Sequence, residues 1–266
     1  MTDGCELSIV LPTYNERERL EELVATVFSV FGCHQIRGEM VVVDDNSPDG
    51  TGAIADGLAR RFPLQVVHRE RKLGLGSAVM AGFVRARGSI IGVMDADLSH
   101  PPSVLPGMLA VLRVLNVDVV VGSRYIPGGA ARNWPVGRLV VSRFACLLAR
   151  PLTPVRDSTS GLFLVRRTAI QDVKISAPGF KICLELLVRG RIESIAEIPS
   201  VFVNRAAGES KMTIREALQY LVQLRNLYVV RFGAGHDRRT RYRRVSEADL
   251  HSLIRAAFQG TREPPR

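Results

Sequence analysis

Along the first half of the chain, short runs of apolar residues alternate with longer stretches whose apolar positions recur every three or four residues. Residues 7–11 (LSIVL), 40–43, 64–68, 89–93 (SIIGV) and 118–122 (DVVVG) are the short runs. Uninterrupted apolar runs bounded by turn-formers read as strands buried on both faces. Between them Leu20, Leu23, Val24, Val27 and Phe31 fall on one helical face. Further helices are expected near 51–61, up to about residue 86, and near 103–115. Repeated strand–helix alternation predicts an α/β domain with a mostly parallel sheet covered by helices.

The second half is less regular. Residues 134–151 contain an amphipathic helix, 160–165 (SGLFLV) a strand, 179–188 (GFKICLELLV) a buried helix, and 195–203 a strand with Pro199 at an edge or bend. A polar loop at 204–212 leads into a helix over about 213–232. Beyond Gly233 comes the basic segment HDRRTRYRR, then a short helix near 246–258. No repeat and no boundary precedes Gly233, which predicts one domain over 1–232 and a basic tail over 233–266.

Several polar loops fall at strand ends: 12–16 (PTYNE), 44–50 (DDNSPDG), 94–102 (MDADLSHPP) and 123–125 (SRY). In parallel α/β sheets these ends converge on one crevice, where ligands bind. Asp95 and Asp97, one residue apart, suit a hard divalent cation shared with a diphosphate. A strand-end Asp that caps the next helix is the alternative, and both readings stand at this point. Lys72 with Gly74 and Gly76 lacks P-loop spacing, so those glycines read as helix-packing positions.

With 46% hydrophobic and 23% charged residues, the 266-residue chain should be mostly globular. A net charge of +10 favours anionic partners: nucleic acid, anionic lipid or phosphorylated substrates. Aromatics are only 6% and the basic residues lie among acidic strand-end loops, which argues against a nucleic-acid groove. Cys5, Cys33, Cys146 and Cys183 lack zinc-site spacing, so reduced thiols in a cytoplasmic setting are expected. The polar start MTDGCE predicts no signal peptide, and no apolar run reaches 18 residues, so no transmembrane helix is expected.

Taken together, PTYNERERL (12–20), VVVDDNSPDGT (41–51), MDADLSHPP (94–102), GSRY (122–125), STSGLFLVRR (158–167), GFKICLE (179–185) and NRAAGESK (204–211) occur in an order that resembles the dolichol-phosphate (polyprenol-phosphate) mannose synthases of glycosyltransferase family 2. The resemblance covers roughly residues 6–232. It implies a GT-A fold, a Rossmann-like mixed sheet with flanking helices, and inverting transfer of mannose from GDP-mannose to a polyprenyl phosphate with Mg²⁺ or Mn²⁺.

By the same resemblance, Pro12, Tyr14, Glu16, Val43 and Asp45 line the nucleoside pocket, while Asp44 holds its turn. Asp95, Ala96 and Asp97 serve the donor, with Asp97 and Ser99 as metal ligands. Some relatives carry Gln where Ser99 stands; a hydroxyl can still ligate the ion or hold one of its waters, and His100 is the neighbouring alternative. Arg124, Arg138, Ser142, Arg205 and Lys211 match positions that grip phosphates. Arg138 and Ser142, four apart, share one helix face. Arg124, Arg138 and Ser142 are assigned to the acceptor phosphate, and Arg124 with Asp95 and Asp97 to catalysis. Glu185 is a positional residue.

A polyprenyl acceptor resides in a bilayer. Residues 137–150 and 214–232 combine apolar faces with arginines and suit the interface of the cytoplasmic face, where anionic lipid attracts the basic tail as well. A membrane-protein partner is compatible with this picture. The nearest rival is a UDP-sugar transferase of the same family acting on a polyprenyl phosphate. A basic nucleic-acid-binding protein and a non-catalytic sugar-nucleotide sensor are rivals of other classes. A processive polysaccharide synthase is disfavoured, because there is no QxxRW motif.

Overall fold

The structure is a computed structural model, and it describes residues 4–171, 173, 181–204, 214–233 and 240–258. The strands are β1 (Leu7–Thr13), β2 (Gly38–Asp44), β3 (Leu64–His68), β4 (Ile90–Val93), β5 (Val119–Ser123), β6 (Ala130–Arg132), β7 (Phe163–Arg166), β8 (Ser194–Pro199), β9 (Val201–Val203) and β10 (Arg241–Arg244). The helices are α1 (Arg17–Cys33), α2 (Thr51–Ala59), α3 (Leu75–Arg85), α4 (Leu105–Val114), α5 (Val136–Leu148), α6 (Arg167–Ile170), α7 (Ile182–Arg189), α8 (Ile214–Gly233) and α9 (Glu247–Phe258).

Eight strands form one sheet in the order β10-β8-β5-β7-β4-β1-β2-β3, and β6 pairs with β9 in a small second sheet. All pairings in the large sheet are parallel except those of β7, which runs antiparallel between β4 and β5. Because β7 is reversed, its first residue, Phe163, lies level with Val93 and Val121 near the ends of its neighbours. The STSG segment therefore arrives at the same edge as the other polar loops.

Alternation along β1 sends Leu7, Ile9 and Leu11 into a core with α1 and α4, and Val10 into a second core with α3 and α7. A smaller cluster joins Ala149, Leu152 and Leu184 to Tyr220, Leu224 and Leu227 of α8. The Tyr220 hydroxyl donates to Ala145 O at 2.7 Å and that of Tyr228 to Leu148 O at 2.8 Å, fastening α8 along α5.

Three expectations change. The predicted strand over 195–203 breaks at Ser200 into β8 and β9, next to the Pro199 expected at a bend. β6 is too short and polar to show in the periodicity. The segment past 233 is no separate tail, for its described part, 240–258, adds strand β10 to the sheet and packs α9 on α4, with Leu250 against Gly107 and Val245 in the core. A charged RYRR run reads as tail by composition; it forms a strand because β8 offers an unpaired edge.

Candidate active site

At the end of β1, Asn15 takes a left-handed backbone (φ 61°) that turns the chain into α1. Tyr14 is partly exposed, with Lys72 Nζ 3.7 Å from its ring centroid. At the end of β2, Asp44 holds its turn as expected, accepting from Ser47 N at 3.2 Å. Two of the expected nucleoside-pocket residues are engaged by the protein itself. Val43 is wholly buried against α3. Asp45 is buried and paired with Arg69, whose Nη2 also donates to Ser77 Oγ at 2.7 Å. Arg69, unnoticed in the sequence, ties the strand end to the start of α3.

The loop after β4 carries the acidic pair. Asp97 Oδ1 accepts from Ser99 N at 2.9 Å, and Leu98 between them has φ 60°. Among the described residues Leu98 is the one apolar side chain at positive φ, a strained conformation that costs roughly 1–3 kcal/mol. The buried Leu98 side chain helps hold it there. Ala96 is buried in the core and offers the site its backbone alone. Gly161 makes room for Asp95: a Cβ there would lie 2.4 Å from Asp95 Oδ2.

Facing these carboxylates is a cationic wall. Arg124, at the end of β5, is buried and forms a bidentate pair with the fully buried Asp157, Nε to Oδ2 and Nη2 to Oδ1 at 2.7 Å each. Thr159 Oγ1 accepts from Nη2 at 3.2 Å. Two of its three guanidinium nitrogens are thus engaged by the protein. The Arg124 pKa is raised, because Asp157 outweighs the cost of burial. Arg138 of α5 lies 4.1 Å from the Trp134 ring and donates to Asn204 Oδ1 at 3.3 Å. Ser142 accepts from the Tyr125 hydroxyl at 2.7 Å.

These groups lie close enough for their charges to act on one another. Burial and repulsion by Asp97 and Asp95 push Glu16 up to about 7. Burial and repulsion by Arg124 lower Arg138, against the attraction of Asp97. Lys181, just before α7, is lowered by burial and by Arg124 while Asp95 opposes the shift. Burial disfavours the Asp95 charge, but His100, Lys181 and Arg124 hold its pKa below the usual range. His100 Nε2 stands 3.6 Å from Asp95 Oδ2, too long for a hydrogen bond. Its ring meets Phe202 edge-on at 5.0 Å, Phe202 meets Trp134 at 5.3 Å, and Trp134 also lies 5.0 Å from Arg124. An aromatic column thus connects the acidic loop to the arginines. Lys181, Asp157, Trp134 and Phe202 were missed as site residues; for Lys181 the position inside the quoted GFK motif was the available signal. Arg205 and Lys211 lie outside the described residues.

This arrangement of acidic strand ends is matched by a family profile, Glycosyl transferase family 2, over residues 8–174. The chain belongs to glycosyltransferase family 2. Among its relatives in this family, the dolichol-phosphate mannosyltransferase of Saccharomyces cerevisiae is 36% identical, over 87% of this chain and 90% of the relative. The polyprenol monophosphomannose synthase of Mycolicibacterium smegmatis is 41% identical, over 79% and 83%. A Pyrococcus furiosus dolichol-phosphate mannosyltransferase is 39% identical over 81% of this chain, which spans only 62% of that relative's length. The solved Mycobacterium tuberculosis glucosyl-3-phosphoglycerate synthase with Mn²⁺, UDP and glucosyl-3-phosphoglycerate superposes with a TM-score of 0.63, covering 88% of this chain and 82% of that one. At 23% identity it bears on the fold alone, and that fold is GT-A.

Proposed function

We propose that this family 2 glycosyltransferase moves mannose from GDP-mannose to a polyprenyl phosphate at a membrane surface, with inversion at the anomeric carbon. What supports the proposal is the gathering of Asp95 and Asp97 with Arg124, Arg138 and Lys181, close enough for their charges to act on one another, with His100, Phe202 and Trp134 packed between the acidic loop and the arginines. The relatives' names, dolichol-phosphate mannosyltransferase and polyprenol monophosphomannose synthase, support the sugar and the acceptor.

A divalent cation fits the acidic side. Among the described residues no three His, Cys, Asp or Glu side chains converge as a metal cage. Mg²⁺ is commonly held by one or two carboxylates, with substrate phosphates and water completing the shell. Asp97 would hold the ion, with Ser99 beside it; Ser99 Oγ is buried and has no hydrogen-bond partner among the described residues. The crowding that lifts Glu16 is what a nearby cation relieves. Bound there, the ion supplies charge neutralisation for the leaving diphosphate.

A phosphate monoester has a second pKa of about 6, so the acceptor is largely dianionic at neutral pH and needs no general base. The protein's task is to aim it. Arg138, held over Trp134, and Arg124, whose Nη1 makes no hydrogen bond among the described residues, are placed to orient the phosphate. Ser142, bridged to Tyr125, steadies the same face of α5.

Lipid access is supported by α5 and α8. No helix among the described residues is long and apolar enough to cross a membrane. Yet these two adjacent helices leave Phe144, Leu147, Leu221 and Phe232 more than half exposed, an apolar surface of the kind that seats in an interface. The inner face of α8 packs on α5 and α7 as an ordinary amphipathic helix would.

The deciding experiment offers radiolabelled GDP-mannose and UDP-glucose against a short polyprenyl phosphate with Mg²⁺ or Mn²⁺. Mannosyl lipid from GDP-mannose alone is expected; transfer from UDP-glucose instead would overturn the donor. Sedimentation with anionic liposomes, weakened by salt and by Phe144→Ser, is expected to accompany it.

A further inference from the structure

Asp157, which clamps Arg124, is itself held from the far edge of the sheet. Its backbone N–H donates to Glu197 Oε1 at 2.9 Å, and the N–H of Arg156 donates to Glu197 Oε2 at 2.8 Å. Glu197 belongs to β8 and is wholly buried. Its Oε2 also accepts the hydroxyl of Tyr242 on β10. Burial and the Glu197 charge both raise the Tyr242 pKa, so the phenol stays protonated and remains a donor. The backbone repeats the link, with Val245 N donating to Glu197 O at 2.9 Å.

We infer that Glu197 and Tyr242 are positioning residues for Arg124, so that β10, at the edge of the sheet, sets the arginine at the acceptor side of the site. Every connection in the sequence Tyr242, Glu197, Asp157, Arg124 is a direct hydrogen bond. All run through side chains or backbone that water does not reach or reaches little, where such bonds are strong and their loss is costly. A buried glutamate in a strand otherwise made of SIAIP is hard to explain as packing. Both of its oxygens are spent on the two peptide N–H groups that fix the Asp157 turn. The segment lies beyond the 8–174 stretch matched by the family profile. The part of the inference that concerns turnover rests on the proposed mannosyl transfer.

The test uses the full chain. Glu197→Gln keeps the shape but supplies one oxygen and an NH₂ group, which must face a peptide N–H. Tyr242→Phe removes only the hydroxyl. In protein labelled with ¹⁵N-arginine, the Arg124 Nε–H is expected to exchange with solvent about tenfold faster in Glu197→Gln and a few-fold faster in Tyr242→Phe, as loss of about one hydrogen bond predicts. With GDP-mannose and polyprenyl phosphate, kcat/KM for the acceptor should fall by about the same factors, while GDP-mannose affinity is unchanged. In an Arg124→Lys background the added loss should shrink below about twofold, since coupled residues are not additive.

Unaltered Arg124 exchange in a folded variant, or fully additive losses with Arg124→Lys, would overturn the inference. Should Glu197→Gln fail to fold, Tyr242→Phe decides by the same two readings. Wild-type protein that transfers no mannose refutes the proposed function, and the exchange measurement still judges the positioning chain.

Discussion

The two walls of the cleft are built differently. The acidic wall is assembled from loops that follow β1 and β4 directly, and its side chains stand a few residues from the strands that deliver them. The cationic wall is assembled across the chain: Arg124 leans on Asp157, Asp157 on Glu197, and Arg138 on Trp134 and Asn204. The acidic wall stores charge repulsion, seen in the raised pKa of Glu16. In the cationic wall the Arg124 charge is already paired with Asp157 before any substrate arrives. A wall of the first kind should tolerate loss of a side chain structurally and fail chemically. One of the second kind should fail structurally as well.

Asp97→Ala makes the sharpest demand on this contrast. Among the described residues its side chain bonds only the Ser99 amide, so the fold should survive while transfer falls by about 10²–10³-fold, the scale of removing one preorganised electrostatic group. Single-turnover mannosyl transfer, with thermal unfolding as control, measures both. Thorough chelation should reproduce the loss in the wild type. Asp157→Ala should do the reverse and cost about 3–5 kcal/mol of stability in urea, because it strands the buried Arg124 charge.

Smaller effects refine the picture. Trp134→Ala removes the ring beside Arg138 and should cost about 0.5–2 kcal/mol of acceptor binding, read as a several-fold rise in acceptor KM with donor KM unchanged. The smallest effect concerns pH. Glu16 titrates near 7 in the fold and near 4.5 when unfolded, so the folded chain keeps a proton that the unfolded chain releases between those values. Its contribution to stability is full below about pH 4.5 and is lost as pH rises through 7. Glu16→Gln should flatten that part of the stability–pH curve. In calorimetry at pH 7, where Glu16 is about half protonated, Mg²⁺ binding should release up to about half a proton in the wild type and none in the variant.

What the sequence revealed follows the same division. Strands β1 to β5 and their acidic loops were legible, because apolar runs and turn residues signal locally. Asp44 could be assigned to its turn for that reason. The pairing of Arg124 with Asp157 joins residues 33 apart, and that of Asp157 with Glu197 joins residues 40 apart, distances over which periodicity carries no information. The Asp45–Arg69 pair and the full burial of Val43 were hidden for a related reason: position at a strand end does not tell which neighbours a side chain meets. β10 was invisible because its sequence is that of a solvated tail and only its neighbour makes it a strand.

That edge strand has a consequence for the order in which the molecule is made. While residues 241–244 are still inside the ribosome, β8 has β5 on one side and nothing on the other. A six-residue strand buried along its whole length in the finished protein then presents bare peptide groups to any passing chain. The newborn enzyme is therefore most prone to sticking in the interval between the synthesis of β8 and that of β10, and the residues that cover the edge are also those that hold Glu197.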